Sequence, residues 1–178
     1  MPTGNVRLLS HSPEHLLALR DNPALYQTQF GIAVAAGLSE FLGGPEVSES
    51  FQARLRDATA ADPWRDGFGV LLPGENRLIG LASFNGPTDA AGEVEMSYAI
   101  APAYTGRGYA TGAVRLLIDF ALASGQVQTL RAHTLPAKSA SAGVLEKCGF
   151  KFRGPTIHPE DGAIWVWELP LPAIGLIS

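Results

Sequence analysis

From Gly67 onward the apolar positions recur at intervals of two, then of three and four, then of two again, and these changes of period predict strands and helices in a definite order. The clearest stretch is Glu93 to Ile100. Val94, Met96, Tyr98 and Ile100 fall on one face, with Glu93, Glu95 and Ser97 on the other, as in a strand with one buried side and one polar side. Upstream, Gly67 to Leu72 and Arg77 to Phe84 read as strands joined by the turn Pro73-Gly74-Glu75-Asn76, most simply a hairpin, and Asn85-Gly86-Pro87 opens the next loop. From Gly108 the period lengthens: Ala110, Ala113, Val114, Leu117, Ile118 and Ala121 predict an amphipathic helix ending near Ser124-Gly125. Thr129 to Thr134 is again strand-like. A short helix then carries Ala140, Val144, Leu145 and Cys148 inward, with Gly149 as a left-handed cap and Phe150 as its apolar contact. One or two strands close the chain, the clearer being Ala163 to Leu169.

The N-terminal third is less regular. Val6 to Leu9 reads as a short strand, and Ser12-Pro13-Glu14 supplies a capping hydroxyl, a proline at the first helical position and an early acid. Asn22-Pro23 ends that helix. Pro45-Glu46 opens another, with Val47, Phe51, Leu55 and Ala58 sharing one face. The strand, helix and strand between Glu93 and Thr134 predict a right-handed parallel crossover inside an otherwise antiparallel sheet. The expected fold class is therefore α/β (α+β): a mixed, mostly antiparallel sheet flanked by helices around a central parallel β-α-β unit.

Composition narrows the function classes. A chain of 178 residues with 46% hydrophobic residues suits one domain spanning 1–178. The net charge of -4 argues against a broad nucleic-acid footprint, which needs a surplus of basic residues on one face. Cys148 is the only cysteine, which fits a reducing cytoplasm and leaves no intrachain disulfide or thiolate cluster to build. Nothing between Met1 and Ser10 has the form of a secretory signal, and the apolar run from Gly31 to Gly44 is too short to cross a bilayer. His11, His15, His133 and His158 are scattered at spacings that imply no metal.

The sharpest local feature is Thr105-Gly106-Arg107-Gly108-Tyr109-Ala110, between a strand and the first turn of a helix. Glycines there let backbone approach a ligand, and uncapped amides at a helix start suit a pyrophosphate, with Arg107 adding charge. A tight strand-to-helix connection is the competing reading. No Gly-Lys-Ser/Thr follows, so the loop is not a Walker A motif, and Thr111 stands where a dinucleotide fingerprint needs its third glycine. Glu93 and Glu95, two residues apart on one strand face, are candidate proton acceptors, or else simply a polar outward face.

Three ordered motifs carry a family likeness: Glu93 to Pro102, Tyr104 to Thr111, and Leu135 to Ser141 followed by Val144-Leu145-Glu146-Lys147-Cys148-Gly149-Phe150. Together they resemble the GNAT superfamily of acyltransferases, and more narrowly the branch holding ribosomal-protein N-terminal acetyltransferases of the RimJ/RimL type. The likeness is strong from about Val70 to Gly154. It implies a GNAT fold, acetyl-CoA as cosubstrate without a metal, and transfer of acetyl to a primary amine, either a protein N-terminal α-amine or a small molecule. A non-catalytic acyl-CoA-binding module is the alternative, and the molecule would be a monomer or homodimer. Carried over by position, Thr105, Gly106, Arg107, Gly108, Tyr109, Ala110 and Thr111 form the pyrophosphate loop, the amides from Arg107 to Thr111 doing the holding. The backbone of Tyr98, Ala99 and Ile100 would pair with the pantetheine arm and polarise the thioester carbonyl. Glu95 is the preferred base, Glu93 the second, and Ser141 stands near the donor sulfur. Two positions depart from the family pattern: Thr105 replaces Gln or Arg, and Lys138 replaces an asparagine. Cys148 reads as core rather than as a nucleophile, because a helix C-terminus raises a thiol pKa, so direct attack in a ternary complex is expected.

Overall fold

The computed structural model describes residues 5–43, 53, 61–159 and 161–172. The helix expected from Pro45-Glu46, with Val47, Phe51, Leu55 and Ala58 on one face, lies outside these residues. Strand β1 (Arg7–Ser10) leads into α1 (Pro13–Asp21), where Ser12 caps the first turn and His15 at the third position reaches back to the Ser12 amide. Asn22-Pro23 does end α1, but the same pair starts α2 (Pro23–Phe30): the Asn22 side chain accepts from the Leu25 N–H, and proline fits a first helical position. After the left-handed Gly31 come β2 (Ala33–Val34), α3 (Leu38–Gly43) and the one-turn α4 (Pro63–Asp66).

β3 (Phe68–Leu72) and β4 (Arg77–Phe84) form the expected hairpin, closed by a 3-10 turn at Pro73–Glu75 and by Asn76 at φ 47°. β5 (Glu93–Ile100), α5 (Tyr109–Ser124), β6 (Thr129–Thr134) and α6 (Ala140–Lys147) follow the sequence pattern closely. Leu145 is buried as expected and Val144 and Cys148 are half-buried, but Ala140, also expected to face inward, is exposed, and Ala142 is buried in its place. Gly149 at φ 92° ends α6, the Phe150 N–H donates to the Leu145 carbonyl, and the Phe150 ring is buried. Two strands close the chain, β7 (Lys151–His158) and β8 (Gly162–Pro170).

The strands lie in the order β1-β3-β4-β5-β6-β8-β7, with β2 beside the start of β4. The β5/β6 pair, linked through α5, is parallel, whereas the other main-path neighbours are antiparallel; β2 also runs parallel to β4. The arrangement is the mixed, mostly antiparallel sheet expected of a GNAT fold. One core packs Val94, Met96 and Leu130 against Val114 and Leu117 of α5 and Leu145 of α6. A second gathers Leu16, Leu19, Tyr26 and Leu38 from α1–α3 around Leu78 and Ala101. No helix among the described residues is long and apolar enough to cross a membrane.

Candidate active site where β5 and β6 diverge

β5 pairs with β4 from Met96 to Ile100, but with β6 only from Glu93 to Glu95. Beyond Arg131, β6 pairs only with β8. The two central strands therefore separate after Glu95, and backbone parity fixes what lies along the opening. The Asn85 N–H donates to the Glu95 carbonyl and the Ala101 N–H to the Ile79 carbonyl, so odd-numbered residues of β5 turn their peptide groups toward β4. Tyr98 and Ile100 consequently turn theirs toward the gap, beyond the last β5/β6 pair, where no described strand meets them. A half-buried edge with unused amides and carbonyls is suited to pairing with an extended ligand.

At the same end of β5 the chain turns into α5. Gly106 and Gly108 sit at φ 75° and 85°, in the left-handed region where a side chain is strained. Capping side chains start α1, α2, α4 and α6, from Ser12, Asn22, Asp62 and Ser139. α5, the longest helix described, has none. Its first available intrahelical bond is Gly112 N–H to the Gly108 carbonyl at 3.1 Å, which leaves the amides of Tyr109, Ala110 and Thr111 for an outside acceptor. Arg107 is exposed beside them, its guanidinium 5.6 Å from the Tyr104 ring centre. Thr105 is turned away, its hydroxyl donating to the Pro102 carbonyl at 3.0 Å.

On the far lip of the gap, Lys138 and Ser141 are exposed around the start of α6. Ser139, not Ser141, caps that helix, accepting from the Ala142 N–H at 3.2 Å. Ser141 instead meets β5 through its backbone: the Tyr98 hydroxyl donates to its carbonyl at 3.2 Å, and burial pushes the Tyr98 phenol up to about 12. Ala99 and Ile100 are half-buried. Cys148 sits behind this lip, its thiol 3.9 Å from the Thr111 carbonyl, and burial raises its pKa.

The opposite, polar face of β5 separates the two glutamates. Glu93 pairs with Arg131 at 3.1 Å; the same guanidinium nitrogen reaches Glu168 at 3.1 Å, and Glu168 meets Arg153 at 3.4 Å. The result is a ladder across β5, β6, β8 and β7. Glu95 instead bonds His133 Nδ1, and the Asn85 side chain joins it. Burial alone would raise the Glu95 carboxyl, but the bond and charge of His133, with Asn85 and His158, outweigh it and hold the group below its ordinary value. Reciprocally, the bond to Glu95 lifts His133 above an ordinary imidazole against the opposing effect of burial, helped by the charges of Glu95 and Asp161. His133 Nε2 lies 3.4 Å from Asp161, at the turn between β7 and β8, and the His133 and His158 rings stack 5.5 Å apart.

Sequence reasoning named Glu95 but not this company. His133 follows Arg131 at strand period, which places both on one face; the β5/β6 register and the β7–β8 turn that bring Glu95 and Asp161 to it have no local signal. Trp167 is buried, its indole N–H donating to Thr134 at 3.1 Å, so it packs, with Trp165 beside it against Phe152.

Residues 14–151 match the model of the acetyltransferase (GNAT) domain. A probable N-acetyltransferase, YjcK of Bacillus subtilis (strain 168), is 34% identical over 88 residues, 49% of each chain. The match thus spans about half the length of the curated relatives. Among solved structures, RimJ of Mycobacterium smegmatis in complex with CoA-disulfide superposes over 95% of this chain and 83% of its own, with TM-score 0.62 and 20% identity. A ribosomal-protein-S5-alanine acetyltransferase from Vibrio fischeri covers 96% of this chain and 95% of its own at TM-score 0.63 and 17% identity. A domain match over most of the length, on a sheet that parts beside an uncapped helix, decides the matter: the chain belongs to the GNAT acetyltransferase family.

Proposed function

We propose that the protein transfers acetyl from acetyl-CoA to a primary amine, a protein N-terminal α-amine or a small-molecule amine, by direct attack in a ternary complex. The observation that carries this reading is the meeting of two unsatisfied backbone edges: the uncapped start of α5 and the gap-facing peptide groups of Tyr98 and Ile100. The donor fits them. A pyrophosphate suits the amides from Arg107 to Thr111, with Gly106 and Gly108 keeping the approach clear; a Cβ built on Gly106 meets nothing within 4 Å. An extended pantetheine arm would continue the sheet along Tyr98 to Ile100, and an amide of that edge would stabilise negative charge on the thioester oxygen.

Glu95 lies at the mouth of the same gap with His133 attached, so a proton leaving the acceptor nitrogen has a receiver there. Glu93 is committed to Arg131, and Ser141 stands by the donor end with a minor role, since a thiolate needs little acid assistance. Lys138 and Thr105 contribute less than the family's usual residues would. The similarity to a ribosomal-protein-S5-alanine acetyltransferase favours a protein or peptide amine as the first acceptor to try. A non-catalytic acyl-CoA sensor would share the donor site but would have no use for a proton receiver beside it.

The test is release of free thiol from acetyl-CoA across a panel of alanine- and serine-initiated peptides and polyamines, run beside thermal unfolding. Acetyl-CoA should raise Tm through selective binding to the folded state, which gains about 2.7 kcal/mol of stability at a hundredfold excess over Kd. Binding without turnover on every acceptor would establish the sensor, and no Tm rise in folded protein would end both readings.

A further inference from the structure

His133 and Asp161 are not explained by donor binding. His133 is the last residue but one of β6, beyond the point where β6 leaves β5: Glu95 is level with Arg131, so His133 stands on the facing lip, two residues further into the gap. Its ring reaches back across the opening to Glu95 through Nδ1, and its Nε2 faces Asp161 Oδ2 at 3.4 Å. All three side chains are partly open to solvent, at 31% for His133, 28% for Glu95 and 46% for Asp161.

Asp161 is also held in place. Its backbone N–H donates to His158 Nδ1 at 3.2 Å, the same Nδ1 lies 3.4 Å from Asp161 Oδ2, and the His158 ring stacks on His133, so His158 anchors the carboxylate beside the His133 ring. The β7–β8 turn thereby brings one acid and one flat ring against His133 from the side opposite Glu95. The groups facing His133 are thus Glu95 from β5, with Asn85 behind it, and Asp161 and His158 from the β7–β8 turn.

Resting on the acetyl-transfer reading, we propose that His133 is the group that takes the proton from the acceptor amine, with Glu95 and Asp161 as positioning residues on its two ring nitrogens. An arriving ammonium gives one N–H proton to Nε2. Glu95 accepts the Nδ1–H bond throughout, fixing the tautomer whose Nε2 lone pair receives the proton, and Asp161 Oδ2, 3.4 Å from Nε2, stabilises the imidazolium that results. The freed amine attacks the thioester carbonyl, the C–N bond forms and the C–S bond breaks. The departing thiolate takes the second nitrogen-bound proton, and the proton on Nε2 leaves past Asp161 to water. One proton is released per acetyl group, as the overall reaction requires. The sequence position of the proton acceptor thus moves from Glu95 to the imidazole that Glu95 orients.

The experiment pairs two readouts on wild type, Asp161→Asn, Glu95→Gln and His133→Gln. Ring NMR follows the His133 titration directly, and kcat/KM for an alanine-initiated peptide with acetyl-CoA is measured from pH 5.5 to 9. In the wild type the rising limb of kcat/KM should coincide with the His133 titration, above an ordinary imidazole. Asp161→Asn should move both downward together and preserve acetyl-CoA affinity. His133→Gln should lower kcat at least tenfold, abolish that limb and leave the donor-induced Tm rise intact, which loss of folding would not do. The proposal is overturned if the His133 resonance shifts in Asp161→Asn while the kcat/KM limb stays put, or if His133→Gln keeps the wild-type profile; acetyl transfer itself would survive either result. Absence of turnover in the wild type with every acceptor would instead sink the functional reading and this one with it.

Discussion

Glu93 and Glu95 are chemically alike and share a strand face, yet they differ in what the neighbouring strand sets beside them. Arg131 takes Glu93 into a ladder with Glu168, whereas His133, one strand period further, takes Glu95 to the gap. Exposed ion pairs of the first kind contribute at most about 1 kcal/mol each and do no chemistry. Cys148 shows the same dependence on surroundings. Its thiol is half-buried between the Thr111 carbonyl and the apolar packing of α6, and burial raises its pKa, so little thiolate exists at neutral pH. Cys148→Ala should therefore retain turnover, at a stability cost of about 1 kcal/mol for the lost packing. Steady-state kinetics beside a urea titration would check this, and complete loss of activity in folded Cys148→Ala would restore a covalent route. Strand faces were readable from alternation at these positions. The partners were not, because which residue of β6 lies opposite Glu95 depends on a register set by the whole sheet.

At the level of elements, the start of α5 couples sequence to ligand most directly. Gly108 occupies the N-cap position in left-handed geometry and offers no side-chain oxygen, so the first turn keeps its amides for the donor. Gly108→Val would force a β-branched residue to φ 85°, at a cost of about 1–2 kcal/mol, and would set methyl groups where a phosphate must approach. The expected result is loss of most of the acetyl-CoA-induced Tm rise. Gly125→Ala supplies the control: it places comparable strain at φ 69° on the other end of the same helix and should leave that rise unchanged. Equal losses in both variants would mean that helix strain, not the loop, sets donor affinity. The period of α5 and the glycines on either side of it made this element legible from residues alone. α2 was hidden because Asn22-Pro23 both stops one helix and starts the next, and β7 because its side chains are almost all exposed, so no apolar alternation marks it.

At the scale of the molecule, the two cores meet across β3 and β4, and a buried histidine ties the α1–α3 layer to that junction. The His11 N–H donates to the Gly67 carbonyl at 3.1 Å, its Nε2 bonds the Tyr26 hydroxyl at 2.8 Å, and its Nδ1 has no partner among the described residues. A Cβ on Gly69 would lie 2.8 Å from His11 Nε2, so the ring packs closely over β3 at a position that only glycine leaves clear. Burial first, then the charge of His15, lowers the His11 pKa from 6.5 to about 3. Between those values the unfolded chain binds a proton that the folded chain refuses. The contribution is therefore complete above pH 6.5 and drains away as pH falls toward about 3. His15, also lowered, acts in the same direction, and Glu95 joins it at lower pH because its folded value lies below its unfolded one. His133 has the opposite sign: its contribution is full below 6.5 and is lost as pH rises through its raised folded value. One proton is worth about 1.4 kcal/mol per pH unit, so His11 alone should remove roughly 2–3 kcal/mol between pH 6.5 and 4.5. Urea unfolding midpoints over that range should fall for the wild type. His11→Gln, which can still bond Tyr26 but cannot titrate, should be less stable at neutral pH and show a flatter acid slope. An unchanged slope in His11→Gln would mean that acid destabilisation starts elsewhere than at the joint between the helical layer and the sheet.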